Sequence, residues 1–301
     1  MNYNIFGSKF GLYGYLPAIL KNKKNKVYLP KKYFQFLIKR NDLQKYNKKI
    51  IWYDKLSSIK DKINFCIIAK RPKDQFNLCK EVLEFKNLKH LYLEKPLAEN
   101  YTSAQKLLRY LKQNKINFSL AYIINQTLFY KKLINIINER KINKINVYWS
   151  FPNSNKKESW KLNHKEGGGI INFYGIHFIH LFSTLGFNKI ISSIVKIKKG
   201  KEVSWDINIK KNSILFNFKL RINSKKKIFF ADCIQNNKKI NLIKYQNPFI
   251  KNVDKFKKGI SLDYRSKFIL KYLNNTKKDN FDDYNKTNIL WKKIQEKTIR
   301  Y

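Results

Sequence analysis

The chain is poor in cysteine, in acidic residues and in long apolar runs. Its three cysteines, Cys66, Cys79 and Cys233, are odd in number and lack the paired spacing that holds a metal ion. Neither a disulfide framework nor a metal site is therefore expected. Cys66 lies within an apolar stretch and reads as a buried thiol, and a reducing, cytoplasmic location follows. No apolar run approaches the roughly 20 residues that cross a bilayer, so no membrane partner is expected. The N-terminus, Met1-Asn2-Tyr3-Asn4-Ile5-Phe6-Gly7, is too short and too polar for a signal peptide and reads as a first strand.

Against 20 Asp and Glu stand 64 Lys and Arg, a formal net charge of +44 over 301 residues. A charge of this size raises nucleic acid as a partner. The lysines, however, are spread along the whole length and mixed with Asn and Ile. These three residues share A/T-rich codons, so a biased genome accounts for the excess. No recognisable nucleic-acid motif accompanies the charge, and no specific nucleic-acid partner is expected. What the charge does imply is attraction for an anionic substrate and a non-specific pull on polyanions that salt weakens. Hydrophobic residues at 43% and aromatics at 15% suffice for real cores, and the length suggests two domains.

The first half alternates strands and helices. Tyr3 to Phe6 reads as a strand, followed by a Gly-containing turn (Gly7, Gly11, Gly14) and a helix, as a nucleotide-binding βα unit requires. The spacing departs from Gly-x-Gly-x-x-Gly, whose second and third glycines would fall at Lys9 and Leu12. Further strands are expected at Lys26 to Leu29, Ile50 to Tyr53, Ile63 to Ala69, Leu88 to Leu93 and Phe118 to Ile123. Asp54 to Lys60 reads as a short helix. Longer helices are expected at Asp74 to Phe85 and Ser103 to Gln113, the latter opened by a capping box of Thr102 and Gln105. The continuous apolar run Ile63 to Ala69 indicates a strand covered on both faces. This pattern argues for a doubly wound parallel sheet. At the end of the second strand, where an acidic residue would bond the ribose hydroxyls, stand Lys31 and Lys32. A 2′-phosphate suits them, which favours NADP over NAD.

The second half has a different grain. Tyr130 to Asn138, Ile170 to Leu185, Ser261 to Asn274 and Asn285 to Ile294 read as helices. Between them lie strand-like runs at Ile145 to Phe151, Ile190 to Ile197, Val203 to Ile209, Ile214 to Ile222, Ile228 to Ile234 and Ile240 to Tyr245. Several alternate apolar with polar, as in half-buried antiparallel strands. The expected class is α/β: an N-terminal Rossmann domain over residues 1–121, then an α+β domain over residues 122–301 with a large open, mostly antiparallel sheet. The last helices are free to pack back on the first domain.

Two stretches carry the chemistry. Glu94-Lys95-Pro96-Leu97-Ala98 ends an apolar run, as a Lys exposed at the carboxyl end of a buried strand would. Gly167-Gly168-Gly169-Ile170-Ile171-Asn172-Phe173-Tyr174-Gly175-Ile176-His177 follows in the second half. Together with Gly7-Ser8-Lys9-Phe10-Gly11, Leu16-Pro17-Ala18, Ile68-Ala69, Pro72 and Trp160-Lys161-Leu162, they fall in the order of the Gfo/Idh/MocA oxidoreductases, the glucose–fructose oxidoreductase and inositol dehydrogenase group, which the chain resembles over nearly its whole length.

That resemblance implies NAD(P)-dependent hydride transfer at a hydroxyl-bearing carbon of a sugar, nucleotide sugar or cyclitol. It also implies a homo-oligomer formed through the C-terminal sheet. Lys95 matches the Lys that bonds the reacting oxygen, and His177 the His that relays the proton; the two are expected to meet across one cleft. Pro96 matches a Pro whose bond to Lys is often cis. The cofactor is expected against Gly7, Lys9, Phe10, Gly11, Ala69, Pro72, Glu94 and Lys95. The substrate is expected against Lys95, Asn125, Trp160, Asn172, Phe173 and His177, with the basic stretch Lys156-Lys157 in a loop near its mouth. Tyr174 reads as packing, and His180 as structural because no acidic partner is nearby. Two departures stand out. Phe173 occupies the position of an Asp, four residues before the His, that serves much of the family. Lys9 replaces a Gly where phosphate meets backbone, either lying along the phosphates or blocking them. A degenerate member that binds nucleotide or sugar without turnover is the alternative.

Overall fold

The computed structural model describes residues 1–138, 142–152, 159–252, 255, 259–274 and 281–301. It divides into two compact units. The first comprises Met1–Ala98, Lys106–Ala121 and Asp254–Phe281; the second comprises Glu99–Gln105, Tyr122–Val253 and Asp282–Tyr301. No helix among the described residues is long and apolar enough to cross a membrane.

The first unit is built on six strands: β1 (Asn2–Phe6), β2 (Lys26–Pro30), β3 (Ile50–Tyr53), β4 (Phe65–Ile68), β5 (His90–Leu93) and β6 (Phe118–Leu120). Every pairing is parallel, and the order is β3-β2-β1-β4-β5-β6. This is the doubly wound order in which the chain reverses direction between β1 and β4, opening a crevice at the carboxyl ends of those strands. Ile5, Val27, Leu29, Ile67, Leu91 and Leu93 are fully buried. Their continuous apolar sequence is what a sheet covered on both faces requires. Backbone bonds carry the carboxyl edge across the sheet, from Ala69 N to Phe6 O (2.7 Å), Glu94 N to Ile68 O (3.2 Å) and Ala121 N to Leu93 O (2.9 Å).

Some local expectations shift. The short helix at Asp54 to Lys60 is a single 3₁₀ turn, Leu56–Ile59. Two short helices, Phe34–Ile38 and Asn41–Gln44, follow β2. The helix Tyr101–Gln113 begins earlier than Ser103. Its cap is Asn100, whose Oδ1 accepts from Ser103 N at 2.8 Å, so the Thr102 and Gln105 capping box does not form. Gln105 binds Asn285 and Asn288 instead. Helix Ser266–Asn274 packs on the helical segment after β1, with Tyr92 Oη donating to Leu273 O at 3.1 Å.

The second unit holds seven strands: β7 (Ile142–Ser150), β8 (Lys189–Lys198), β9 (Lys201–Lys211), β10 (Ile214–Arg221), β11 (Ile228–Gln235), β12 (Lys238–Tyr245) and β13 (Thr298–Arg300), in the order β12-β11-β7-β10-β9-β8-β13. Most pairings are antiparallel. β7 with β10 and β8 with β13 are parallel, and the short terminal β13 has no signal in the sequence. Ile145, Val147, Trp205, Ile207, Phe216, Phe218, Phe229 and Ala231 are buried. Helix Ile176–Leu185 packs on them, with Phe178 stacked on Phe218 at 3.9 Å and Phe182 against Phe216 at 5.0 Å. The opposite face is polar. Lys239 pairs with Asp232 (3.1 Å), Asn146 donates to Asp232 (2.7 Å), and Asn217 donates to Asn146 (2.9 Å). The result is a ladder across four strands.

Candidate active site

In the first unit, the turn after β1 is shaped by close packing. A Cβ on Gly7 would stand 2.4 Å from the Ala69 carbonyl oxygen, and its φ of +150° is one that side chains rarely adopt. Only glycine lets β1 and β4 end side by side here. Gly11 lies under Ile5, where a Cβ would fall 2.9 Å from the Ile Cγ2. Lys9, in place of the second glycine, is exposed. Its carbonyl accepts from Leu12 N (2.9 Å) and Tyr13 N (3.1 Å). Lys9 thus sits at the first helical turn, where unpaired N–H groups and a positive helix end favour phosphate. Phe10 is half-buried between Tyr13, Tyr15 and the guanidinium of Arg265, the last at 4.4 Å from its ring centroid. Ala69 walls the turn, and Pro72 is the first residue of helix Pro72–Val82. The backbone is bare at Gly7 and Gly11, Lys9 lies between them in sequence, and the surrounding charge is positive, a lining suited to the phosphates of a dinucleotide.

Glu94 and Lys95 leave the end of β5, and the Lys95–Pro96 peptide bond is cis. Gln75, completely buried, holds this loop from helix Pro72–Val82. Its Nε2 donates to the carbonyls of Glu94 (3.0 Å), Pro96 (2.8 Å) and Leu97 (3.1 Å). Tyr15 donates to Glu94 Oε1 at 2.8 Å. Burial raises the Glu94 carboxyl above its ordinary range, while the Tyr15 hydrogen bond, Lys95 and Arg265 draw it back down. No sequence signal marks Gln75 or Tyr15, because a lone Gln on a polar helix and a Tyr in a Gly-rich turn have many commoner explanations.

In the second unit, the segment leading to His177 is not a simple helix. Residues Ile170–Gly175 form a wide π turn and Ile176–Leu185 continue as α-helix, ending at Gly186 in the left-handed conformation. Gly168 is obligatory: a Cβ there would stand 2.1 Å from the carbonyl oxygen of Trp160. Glu202 of β9 accepts from Ile170 N at 2.7 Å and pairs with Arg300 at 3.2 Å. Arg300 donates to Gln295 (2.6 Å), and Gln295 to Asn172 Oδ1 (2.7 Å). Trp291 Nε1 donates to the same oxygen at 3.0 Å, so the Asn172 Nδ2 is the group 3.3 Å from His164 Nδ1. Asn172 was expected beside the substrate. It is instead buried and committed to internal hydrogen bonds, because the widened turn points it toward helix Phe281–Lys297.

Phe173 points elsewhere. Its ring meets Trp160 edge-on at 5.4 Å and Tyr174 at 4.8 Å, with the Lys161 ammonium 5.2 Å from its centroid. His177 is buried beside Tyr122 (6.2 Å) and Phe249 (5.8 Å). His180 stacks on Tyr122 at 4.0 Å. The Thr287 hydroxyl donates to Asp283 O (2.8 Å), so it accepts from His180 Nδ1–H at 2.9 Å. Burial lowers the His180 pKa to about 3, which keeps it neutral and structural. Asn125 lies in the 3₁₀ turn Ile123–Gln126, and its Oδ1 is buried without a hydrogen-bond partner among the described residues. Lys156 and Lys157 lie outside the described residues.

Residues 30–122 match the family model GFO_IDH_MocA, the oxidoreductase family with an NAD-binding Rossmann fold. No curated protein matches the chain in sequence. Solved structures match over nearly all of it. A dehydrogenase (MviM) from Clostridium difficile is similar at 16% identity and a TM-score of 0.69, covering 98% of this chain and 99% of that one. KijD10, a 3-ketoreductase from Actinomadura kijaniata solved with NADP and TDP-benzene, has 7% identity and a TM-score of 0.72, with 100% and 98% covered. A myo-inositol dehydrogenase from Corynebacterium glutamicum has 10% identity and a TM-score of 0.72, with 99% and 96% covered. At such identities these likenesses speak for the fold alone. The resemblance to the Gfo/Idh/MocA oxidoreductases holds: residues 30–122 carry that family's NAD-binding Rossmann fold, and the chain takes the fold of its solved dehydrogenases.

Proposed function

We propose that the chain is an NAD(P)-dependent oxidoreductase that moves a hydride to or from a hydroxyl-bearing carbon of a sugar, nucleotide sugar or cyclitol. The observation that carries this reading is the Lys95 loop. It leaves the carboxyl end of a Rossmann strand on a cis Lys95–Pro96 bond and is held in place by Gln75. The similar 3-ketoreductase and myo-inositol dehydrogenase support the substrate class. Exposed Lys31 and Lys32 at the end of β2 suit a 2′-phosphate and favour NADP, and Lys31 is only loosely paired with Asp54 at 3.5 Å. Three buried cysteines, odd in number, support a cytoplasmic, reducing setting. The polar face of the second sheet, with Tyr148 stacked on Phe230 at 5.6 Å, supports pairing of copies there.

A bound dinucleotide supplies the acceptor or donor of the hydride. In the oxidative direction His177 takes the hydroxyl proton as the C–H bond breaks. The Lys95 ammonium stabilises the negative charge that gathers on that oxygen. In the reductive direction the same residues return the proton and hold the carbonyl oxygen. Asn125 Oδ1 accepts from a substrate hydroxyl. Titration of the purified chain with NADPH and NADH, followed by turnover assays over sugars and nucleotide sugars, tests this reading. His177→Asn should keep dinucleotide binding and lower turnover by roughly 10²- to 10⁴-fold, and Lys95→Ala should lower turnover by a similar factor. No binding of either dinucleotide ends it.

Phe173 favours a second reading, binding without turnover, because no carboxylate stands at that position. Robust native turnover removes the second reading. Dinucleotide binding with no turnover across the screen supports it.

A further inference from the structure

We propose that Arg265 is a cofactor-binding residue that brings a guanidinium to the phosphates of the dinucleotide at the Gly7–Gly11 turn. The proposal rests on the oxidoreductase reading above and adds to it a contact from the far end of the chain. Arg265 immediately precedes helix Ser266–Asn274, which belongs to the first unit although it lies more than a hundred residues after β6. Ser266 Oγ donates to the Tyr13 carbonyl at 3.4 Å, which ties the start of that helix to the helical segment after β1.

The guanidinium lies 4.4 Å from the centroid of Phe10, the residue after Lys9 in the turn. Asp263 takes one edge of the fork, receiving Nε at 2.9 Å and Nη2 at 2.7 Å. The guanidinium is thus held by the Phe10 ring on one face and by Asp263 at one edge, with the Tyr13 hydroxyl hydrogen-bonded to it as well; a fork of five N–H donors has more to offer than these partners take. The side chain is 31% exposed, so it is held but not sealed. Its charge reaches Glu94, whose carboxyl it draws toward the ionised form, and Tyr13.

The chemistry of such a group is specific. A planar, pre-oriented guanidinium binds phosphate oxygens through paired N–H donors, and rigid orientation lowers the entropy lost on binding. At this turn a side chain, Lys9, occupies the place where a bare glycine backbone would approach the pyrophosphate. A guanidinium across the mouth offsets that lost approach.

The test is fluorescence titration of the full chain with NADPH, competed by adenosine, for the native protein, Arg265→Ala and Arg265→Lys. Thermal unfolding of each variant is measured alongside. Arg265→Ala should weaken NADPH binding by about 10- to 100-fold and leave adenosine binding within about twofold. Arg265→Lys should recover only part, because an ammonium lacks the fork. The salt dependence of NADPH binding should fall by about one charge in Arg265→Ala. Equal weakening of NADPH and adenosine would mean that Arg265 acts only through the helix it precedes and would overturn the assignment. Native-like NADPH affinity in Arg265→Ala removes the assignment alone. No NADPH binding by the native chain removes the oxidoreductase reading and this assignment with it.

Discussion

Acid should destabilise this protein through two buried histidines, one in each unit. His180 is 5% exposed and stacked on Tyr122, and burial lowers its pKa to about 3. His90 is 6% exposed beside Ser119 Oγ at 2.9 Å, and burial lowers its pKa to about 4. Both folded values lie below the ordinary 6.5, so the unfolded chain takes up these protons first. Stability from each group is complete above about pH 6.5 and is lost as pH falls toward the folded value. At pH 5 an unfolded histidine of pKa 6.5 gains about 2 kcal/mol from protonation, and neither folded group gains appreciably. The pair should therefore cost about 4 kcal/mol between pH 8 and pH 5, a large part of an ordinary domain's stability. The positive net charge grows as carboxylates protonate and adds a background loss, so the readout is a difference between proteins. In urea denaturation at both pH values, His180→Phe should show a pH-dependent loss smaller than that of the native chain by about 2 kcal/mol. It should itself cost about 1 kcal/mol at pH 8 for the broken bond to Thr287. An unchanged pH-dependent loss in His180→Phe would refute the reasoning.

Two further substitutions bear on the two site loops. Gln75→Leu leaves the carbonyls of Glu94, Pro96 and Leu97 without their buried donor and should cost about 2 kcal/mol, read by denaturation; unchanged stability would show that the loop holds itself. Asn172→Leu strips an acceptor from both Trp291 and Gln295 and should cost about 2–4 kcal/mol, with a shift in Trp emission, whereas a cost under about 0.5 kcal/mol would mean that water replaces the amide.

The sheet of the first unit was legible because a covered parallel strand writes itself as a run such as Ile67-Ile68, and because strands and helices alternate. The Lys95 loop was legible from its place at the end of one run. What could not be read depends on residues far apart in sequence. Gln75 matters through three carbonyls some twenty residues on, and Arg265 through a ring near the N-terminus. The capping assignment failed for a local reason: Asn100 and Thr102 are both good caps, and the helix took the earlier one. The burial of Asn172 against helix Phe281–Lys297 could not be read either, because the π turn at Ile170–Gly175 does not keep the roughly 100° per residue of an ideal helix and its partners lie over a hundred residues on.

Phe173 is better understood as part of a built surface than as a simple loss. Trp160, Phe173, Tyr174, Phe151 and Trp149 form a continuous chain of rings, with successive centroids 5.4, 4.8, 4.9 and 5.0 Å apart. The two contacts that Phe173 makes are edge-to-face, and such contacts are each worth about 0.5–1.5 kcal/mol beyond area burial. A carboxylate placed at Phe173 would stand against aromatic faces, and desolvation would raise its pKa. The nearby Lys161 ammonium, 5.2 Å from the ring, would offset only part of that. Phe173→Asp is therefore not a simple reversion, since it removes a ring that Trp160 and Tyr174 both pack against. On the proposed oxidoreductase reading, proton transfer falls to His177, one helical turn further on, and the aromatic wall gives the substrate an apolar face. Sugar rings and nucleobases both have such faces to present.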